Sequence, residues 1–125
     1  MKYGSLHEIT SQARTGRIVV PQVKQTTRML ERMRGLLGRP PLEPGEGLLI
    51  RPCNSVHTLC MRYPIDVIFL DRTNTVLKLV PALRPFRLSL GLGSVAVLEL
   101  GTHEAQRCGI EVGMRLGWED ICKAG

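Results

Sequence analysis

The sequence predicts a mainly β fold: a compact antiparallel β sandwich or open barrel with two short helices, at about 26–37 and 103–108. Three observations predict it. Short apolar runs outnumber helical stripes, and Gly, Pro, Asn or Asp separates them at short intervals. Aromatics make up only 4% of the chain, so the core must be built from Leu, Val, Ile and Met. At 125 residues, 43% of them hydrophobic, the chain is sized as a single domain over 1–125 that buries its own core without a metal or disulfide staple.

Residues 1–17 read as irregular or flexible, followed by a strand near Arg17–Val20 that Pro21 closes. Thr26 and Thr27 are N-cap types, and Met29, Leu30, Met33, Leu36 and Leu37 then fall on one helical face. That stripe predicts a helix over 26–37, stopped by Gly38 and Pro40-Pro41. Arg39–Gly47 reads as a loop and Leu48–Arg51 as a short strand. Ser55–Cys60 and Ile65–Leu70 read as a hairpin turning at Met61–Pro64. Asp71–Asn74 is a turn into a strand at Val76–Val80, and Pro81–Ser94 a long connection. Ser94–Leu100 is a strand, 103–108 a helix ended by Gly109, and Met114–Trp118 the last strand.

Charge and composition narrow the function classes. Residues 1–39 hold eight Lys/Arg and two acids, so the whole net charge of +6 sits in the first third. That asymmetry suits a solvated surface or weak polyanion binding. The scattered Tyr3, Tyr63, Phe69, Phe86 and Trp118 make no stacking platform, which argues against specific nucleic-acid binding. No apolar run approaches a membrane span, and no apolar signal segment stands at the N-terminus, so a cytoplasmic protein is expected. Cys53, Cys60, Cys108 and Cys122 form no Cys-x-x-Cys pair, and the spacing of the Cys, His and acidic residues matches no established zinc pattern. No metal or cofactor is expected.

The stretch 54–71 concentrates the chemistry. In the expected hairpin register Leu59 faces Asp66 and His57 faces Ile68. His57 is then a diagonal neighbour of Asp66 at roughly 7–8 Å, with Ser55 on the same face. A carboxylate between Ile65 and Val67 needs donors. Two readings follow. Asp66 pins the turn after Pro64 by accepting backbone hydrogen bonds, or it forms a site with His57, Ser55 and Asn54.

The run Asn-Ser-Val-His-Thr-Leu-Cys-Met-Arg-Tyr-Pro-Ile-Asp-Val-Ile-Phe-Leu-Asp from Asn54 to Asp71 resembles the signature of the DUF192 family, Val-His-Thr-x-x-Met-Arg-Phe-Pro-Ile-Asp-x-x-Phe-Leu-Asp. Arg34–Arg39, Gly45–Leu49, Val97–Gly101 and Gly109–Leu116 resemble further family segments, so the likeness spans about 18–118. Cys60 departs from the aromatic residue often found there, and Tyr63 from the usual Phe. The resemblance implies a mainly β fold and marks His57, Thr58, Met61 and Asp66, with Glu99, as the matching polar positions. It implies no activity, substrate or cofactor.

The expected function is a non-catalytic binding or accessory module, taking a small ligand or a protein partner. Its candidate site comprises Asn54, Ser55, His57, Thr58, Met61, Asp66 and Glu99. The alternative is a hydrolase using Ser55, His57 and Asp66 as nucleophile, base and orienting acid, against which stands the lack of a nucleophile elbow. A monomer is the expectation, and a homodimer remains compatible with the sequence.

Overall fold

The computed structural model describes residues 2–10, 16–26, 41–53, 55–57, 63–84 and 88–121, with 55–57 and 88 given by their backbone. In chain order the described elements are β1 (Lys2–Ile9), β2 (Ile18–Gln25), β3 (Glu46–Ile50), β4 (Ser55–His57), β5 (Ile65–Leu70), β6 (Val76–Leu83), β7 (Leu88–Leu90), β8 (Ala96–Gly101), α1 (Glu104–Arg107) and β9 (Arg115–Asp120). The fold is mainly β. A seven-stranded sheet has the order β6-β5-β8-β3-β2-β1-β9, and β4 and β7 form a separate two-stranded ribbon. The helix expected at 26–37 lies, beyond Thr26, outside the described residues. The helix expected at 103–108 is present as Glu104–Arg107.

The sheet is curled but open. Its two edge strands meet at one corner, through a bridge between Thr75 and Arg115 and the bonds Val76 N–H to Met114 O and Leu116 N–H to Asn74 O. The curl encloses an inner core that runs from Val76 near one edge to Leu116 at the other. It takes Leu6, Val20, Leu49, Ile68, Leu98 and Leu100 from the strands between, and Ala105, Cys108 and Ile110 from α1 and its exit. The opposite, outer face carries Leu48, Ile50, Ile65, Val67, Phe69 and Val97.

Strands covered on both faces lose the alternation of a half-buried strand. All six residues of β5 are buried. The edge strands β6 and β9 expose several of theirs, and Pro81 sits on β6, where its missing N–H costs no ladder bond. The ribbon lies over the outer face. Gly91, directly after β7, packs against the Phe69 ring so closely that a Cβ there would overlap it. Cys53, two residues before β4, donates its N–H to Val95 O and joins the outer cluster.

Five expectations are corrected, the first being that Pro21 closes β2, which runs on through Pro21 to Gln25. Residues 2–9 are not irregular: β1 is hydrogen-bonded to β2 on one side and β9 on the other. Its local sequence, Lys-Tyr-Gly-Ser-Leu-His-Glu-Ile, lacks an apolar alternation, and its partners are distant in the chain. The sheet is antiparallel except for β2 and β3, which pair in parallel, Gln22–Gln25 beside Glu46–Leu49. The connection 81–94 is not all loop, since β6 runs on to Leu83 and β7 pairs with β4.

The last correction concerns the hairpin of 55–60 with 65–70, which does not form. β4 pairs with β7, Ser55 facing Leu90 and His57 facing Leu88. β5 has β6 on one edge and β8 on the other. The turn after β5 wins this competition. Asp71 Oδ1 accepts from the N–H groups of Thr73 and Thr75 at 2.8 and 3.0 Å and from the Thr73 hydroxyl at 2.8 Å, which folds β6 back onto β5. These bonds hold the Asp71 carboxyl below its ordinary pKa.

Candidate functional site

Two buried carboxylates lie diagonally across the β5–β8 ladder, and they point in opposite directions. Asp66 faces Leu100 across the ladder, and Glu99 faces Val67. Alternation therefore sends Asp66 to the inner face, with Ile68 and Leu70, and Glu99 to the outer face, with Val67 and Val97.

Asp66 is fully buried, and both of its oxygens are engaged. Oδ1 accepts the backbone N–H of Ala82 at 2.8 Å and of His103 at 3.2 Å; Oδ2 accepts that of Ala105 at 2.9 Å. Ala82 and His103 both have positive φ, 48° and 68°, a conformation unfavourable for residues with a Cβ. The carboxylate compensates that cost at both. His103 is the N-cap of α1 and offers no side-chain cap, so Asp66 caps the helix from a strand 37 residues earlier. The neighbouring groups tighten the same joint. Thr102 Oγ1 donates to Pro64 O at 2.7 Å. Glu104 accepts Gly45 N–H at 2.9 Å and the Arg107 guanidinium at 2.5 and 2.8 Å. The Arg107 bond, above all, holds the Glu104 carboxyl below its ordinary pKa. The expectation that Asp66 accepts backbone hydrogen bonds is met, but its donors belong to β6 and α1 and not to the turn after Pro64. A pocket of about 290 Å³ opens beside this joint between Leu79, Pro81, His103, Gln106 and Ile110.

Glu99 has the reverse environment. It is 5% exposed, and its Oε2 is buried with no hydrogen-bond donor among the described residues. Burial among apolar side chains pushes its pKa up to about 7. Tyr63 stands close enough to feel its charge: burial first, and then Glu99, raise the phenol's pKa. Tyr63 and Leu48, which pairs with Glu99 across β3–β8, belong to the outer cluster.

The candidate residues therefore divide. Asp66 is on the inner face, fully bonded. Glu99 is on the outer face, and Ser55 and His57 lie on β4, in the ribbon over that same face. Asn54, Thr58 and Met61 fall outside the described residues. The arrangement of Ser55, His57 and Asp66 as nucleophile, base and orienting acid depended on the hairpin register, and β5 lies in other pairings. Sequence reasoning missed Ala82, His103 and Ala105 as the donors to Asp66, because backbone groups leave no signature in residue type. It also missed Tyr63, whose place inside the motif and partly polar side chain were the available signals. Among the described residues, no helix is long and apolar enough to cross a membrane.

Comparison with known proteins agrees with this fold. The model of the DUF192 family, described as an uncharacterised ACR, matches residues 10–118. A Sinorhizobium meliloti protein provisionally assigned as a transcription regulator has a similar solved structure. Its TM-score is 0.77 at 21% identity, over 94% of this chain and 96% of that one. A Novosphingobium aromaticivorans protein of unknown function gives a TM-score of 0.68 at 22% identity, over 93% of this chain and 84% of that one. No curated protein matches the sequence.

Proposed function

The chain belongs to the DUF192 family, and from that premise we propose that it is a non-catalytic binding module whose site is the outer face around Glu99. The ligand is a small molecule that presents a hydrogen-bond donor, an amine or a hydroxyl, on an apolar body. One observation carries this reading: Glu99 Oε2 is buried and has no hydrogen-bond partner among the described residues. A buried acceptor left without a donor costs about 1–3 kcal/mol, and a ligand that supplies the donor recovers that cost on binding. Leu48 and Val67 beside it suit the apolar body, and Tyr63 adds a phenol at the edge. Ser55 and His57 on β4, with Asn54, Thr58 and Met61 of the same motif, are the further residues we assign to binding. Asp66 supports the site from the other side of the sheet by fixing β6 and α1 to β5.

The test is an NMR titration of the wild-type protein and of Glu99→Leu with a panel of small aliphatic amines and alcohols at pH 8. Supporting this function requires a saturable shift of the Tyr63, Val67 and Leu48 amides that weakens about tenfold or more in the variant, a loss equivalent to one hydrogen bond to a charged group. If no compound saturates, or if Glu99→Leu binds equally well, Glu99 is not a ligand acceptor and the reading fails.

A further inference from the structure

A cavity of about 370 Å³ opens over the other half of the sheet, on β1, β2 and β3. We propose that it binds a free apolar α-amino acid, such as leucine, as the zwitterion. The strand register builds the site. Val23 pairs with Gly4 on one side and Gly47 on the other, and the three form the floor of the cavity. Val23 belongs to the inner core, so alternation turns its neighbours Gln22 and Lys24 to the outer face. The same rule turns out Tyr3, beside Gly4, and Glu46, beside Gly47. All four line the cavity. Leu42, which packs against the outer cluster, and Ile121, whose N–H donates to Tyr3 O at 3.1 Å, complete the walls. Leu48 is buried and stands between Lys24 and Glu99 in the strand pairing, so this cavity is separate from the Glu99 site.

The arrangement of the polar groups identifies the ligand. Gln22 pairs with Glu46 and Lys24 with Leu48, so Lys24 and Glu46 are diagonal neighbours, roughly 8 Å apart along the backbone. The ion pairs among the described residues are Arg17 with Glu8 and Arg107 with Glu104. Lys24 and Glu46 thus line one cavity without pairing there with each other or elsewhere. Glu46 Oε1 accepts the Glu43 N–H at 2.9 Å, which orients the carboxylate and leaves its second oxygen for a ligand. A plain carboxylate in the cavity would be repelled by Glu46, and a plain amine by Lys24. An uncharged apolar molecule would strip water from both charges and replace none of it. An α-amino acid meets every group: its carboxylate takes Lys24, its ammonium takes Glu46, and its side chain lies among Tyr3, Leu42 and Ile121. The volume is near the lower end of the range for ligand pockets, which suits a single amino acid.

The experiment is an NMR titration of the full chain at pH 7 with L-leucine and three relatives. 4-Methylpentanoate lacks the ammonium, 3-methylbutylamine lacks the carboxylate, and glycine lacks the apolar side chain. Leucine is expected to shift the Gly4 and Val23 amides saturably, and each relative to bind at least about tenfold more weakly. Lys24→Met and Glu46→Gln are each expected to weaken leucine about tenfold without lowering the unfolding midpoint. Absence of saturation by leucine overturns the proposal. So does binding of either single-charge relative, or of glycine, as tight as that of leucine, and so does undiminished binding of leucine by both variants. Glu99→Leu is expected to bind leucine like wild type; a loss there would place leucine at Glu99 and also overturn the proposal.

Discussion

Replacing Glu99 with Gln removes a titrating group from the outer face while keeping its shape, and the consequence is a change in how stability depends on pH. The Glu99 pKa rises from the ordinary 4.5 to about 7 because burial penalises its charged form. The folded protein therefore holds this proton more tightly than the unfolded chain does. Its contribution to stability is fully present below about pH 4.5 and is lost as pH rises through 7. A shift of this size corresponds to about 3 kcal/mol in full, most of which is lost between pH 5 and pH 8. Asp71 and Glu104 have lowered values, held by their hydrogen bonds. Their stabilisation is lost only in acid, so it is nearly constant across that window. Urea denaturation at pH 5 and pH 8 measures the difference. With a slope of about 1–3 kcal/mol per molar for a domain this size, the wild-type midpoint falls by roughly 1–2 M at the higher pH. In Glu99→Gln that Glu99-dependent fall disappears, and the variant is the more stable protein at pH 8. If wild type and variant show the same pH dependence, Glu99 titrates as a solvated carboxylate, and the outer-face site loses its basis.

Two further perturbations probe the scaffold. Asp66→Ala leaves the N–H groups of Ala82, His103 and Ala105 without their acceptor. It is expected to cost on the order of 3–5 kcal/mol in chemical denaturation, with faster amide exchange at those three positions; an unchanged midpoint would contradict the capping role. Gly91→Ala drives a methyl into the Phe69 ring and is expected to cost about 1–3 kcal/mol, seen as a lowered unfolding midpoint, because a core aromatic has little room to give. Wild-type stability in that variant would mean that the turn yields and the ribbon is not held on Phe69.

What the sequence made legible follows from how local each cause is. The runs Ile65–Leu70 and Ser94–Leu100 could be read as strands because burial on both faces writes itself as continuous apolar sequence; the structure places β5 and β8 there. The helix at 103–108 could be read from its Gly boundaries. β1 could not, because a strand with Gly4, Ser5 and His7 is held by partners at 18–25 and 115–120. Gly4 and Gly117 are there because Trp118 and His7, respectively, occupy the space of a Cβ, a cross-strand fact with no local trace. The hairpin failed for a related reason. Proximity in sequence favoured 55–60 with 65–70, but the Asp71 turn and β8 had already filled both edges of β5. The need of Asp66 for donors was legible from its apolar neighbours, while the donors, at 82, 103 and 105, were not. Glu99 entered through the family resemblance, and its missing partner became visible only in three dimensions.

The two carboxylates make one argument when set side by side. They share a ladder, β5 with β8, and nearly the same depth of burial, yet among the described residues one has three donors and the other leaves an oxygen with none. For Asp66 the fold itself accounts for the charge, since the bonds it accepts close two unfavourable backbone turns and the start of a helix. Among the described residues, no donor to Glu99 Oε2 gives such an account. A leucine there would complete the apolar face and remove the desolvation penalty, so for folding alone the acid is the worse choice. Local rules are broken in this way at functional positions, where the compensation comes from something outside the fold. The missing partner of Glu99 is therefore to be sought in a bound molecule. Removal of the acid should act on stability and on binding in opposite directions, which removal of Asp66 cannot do.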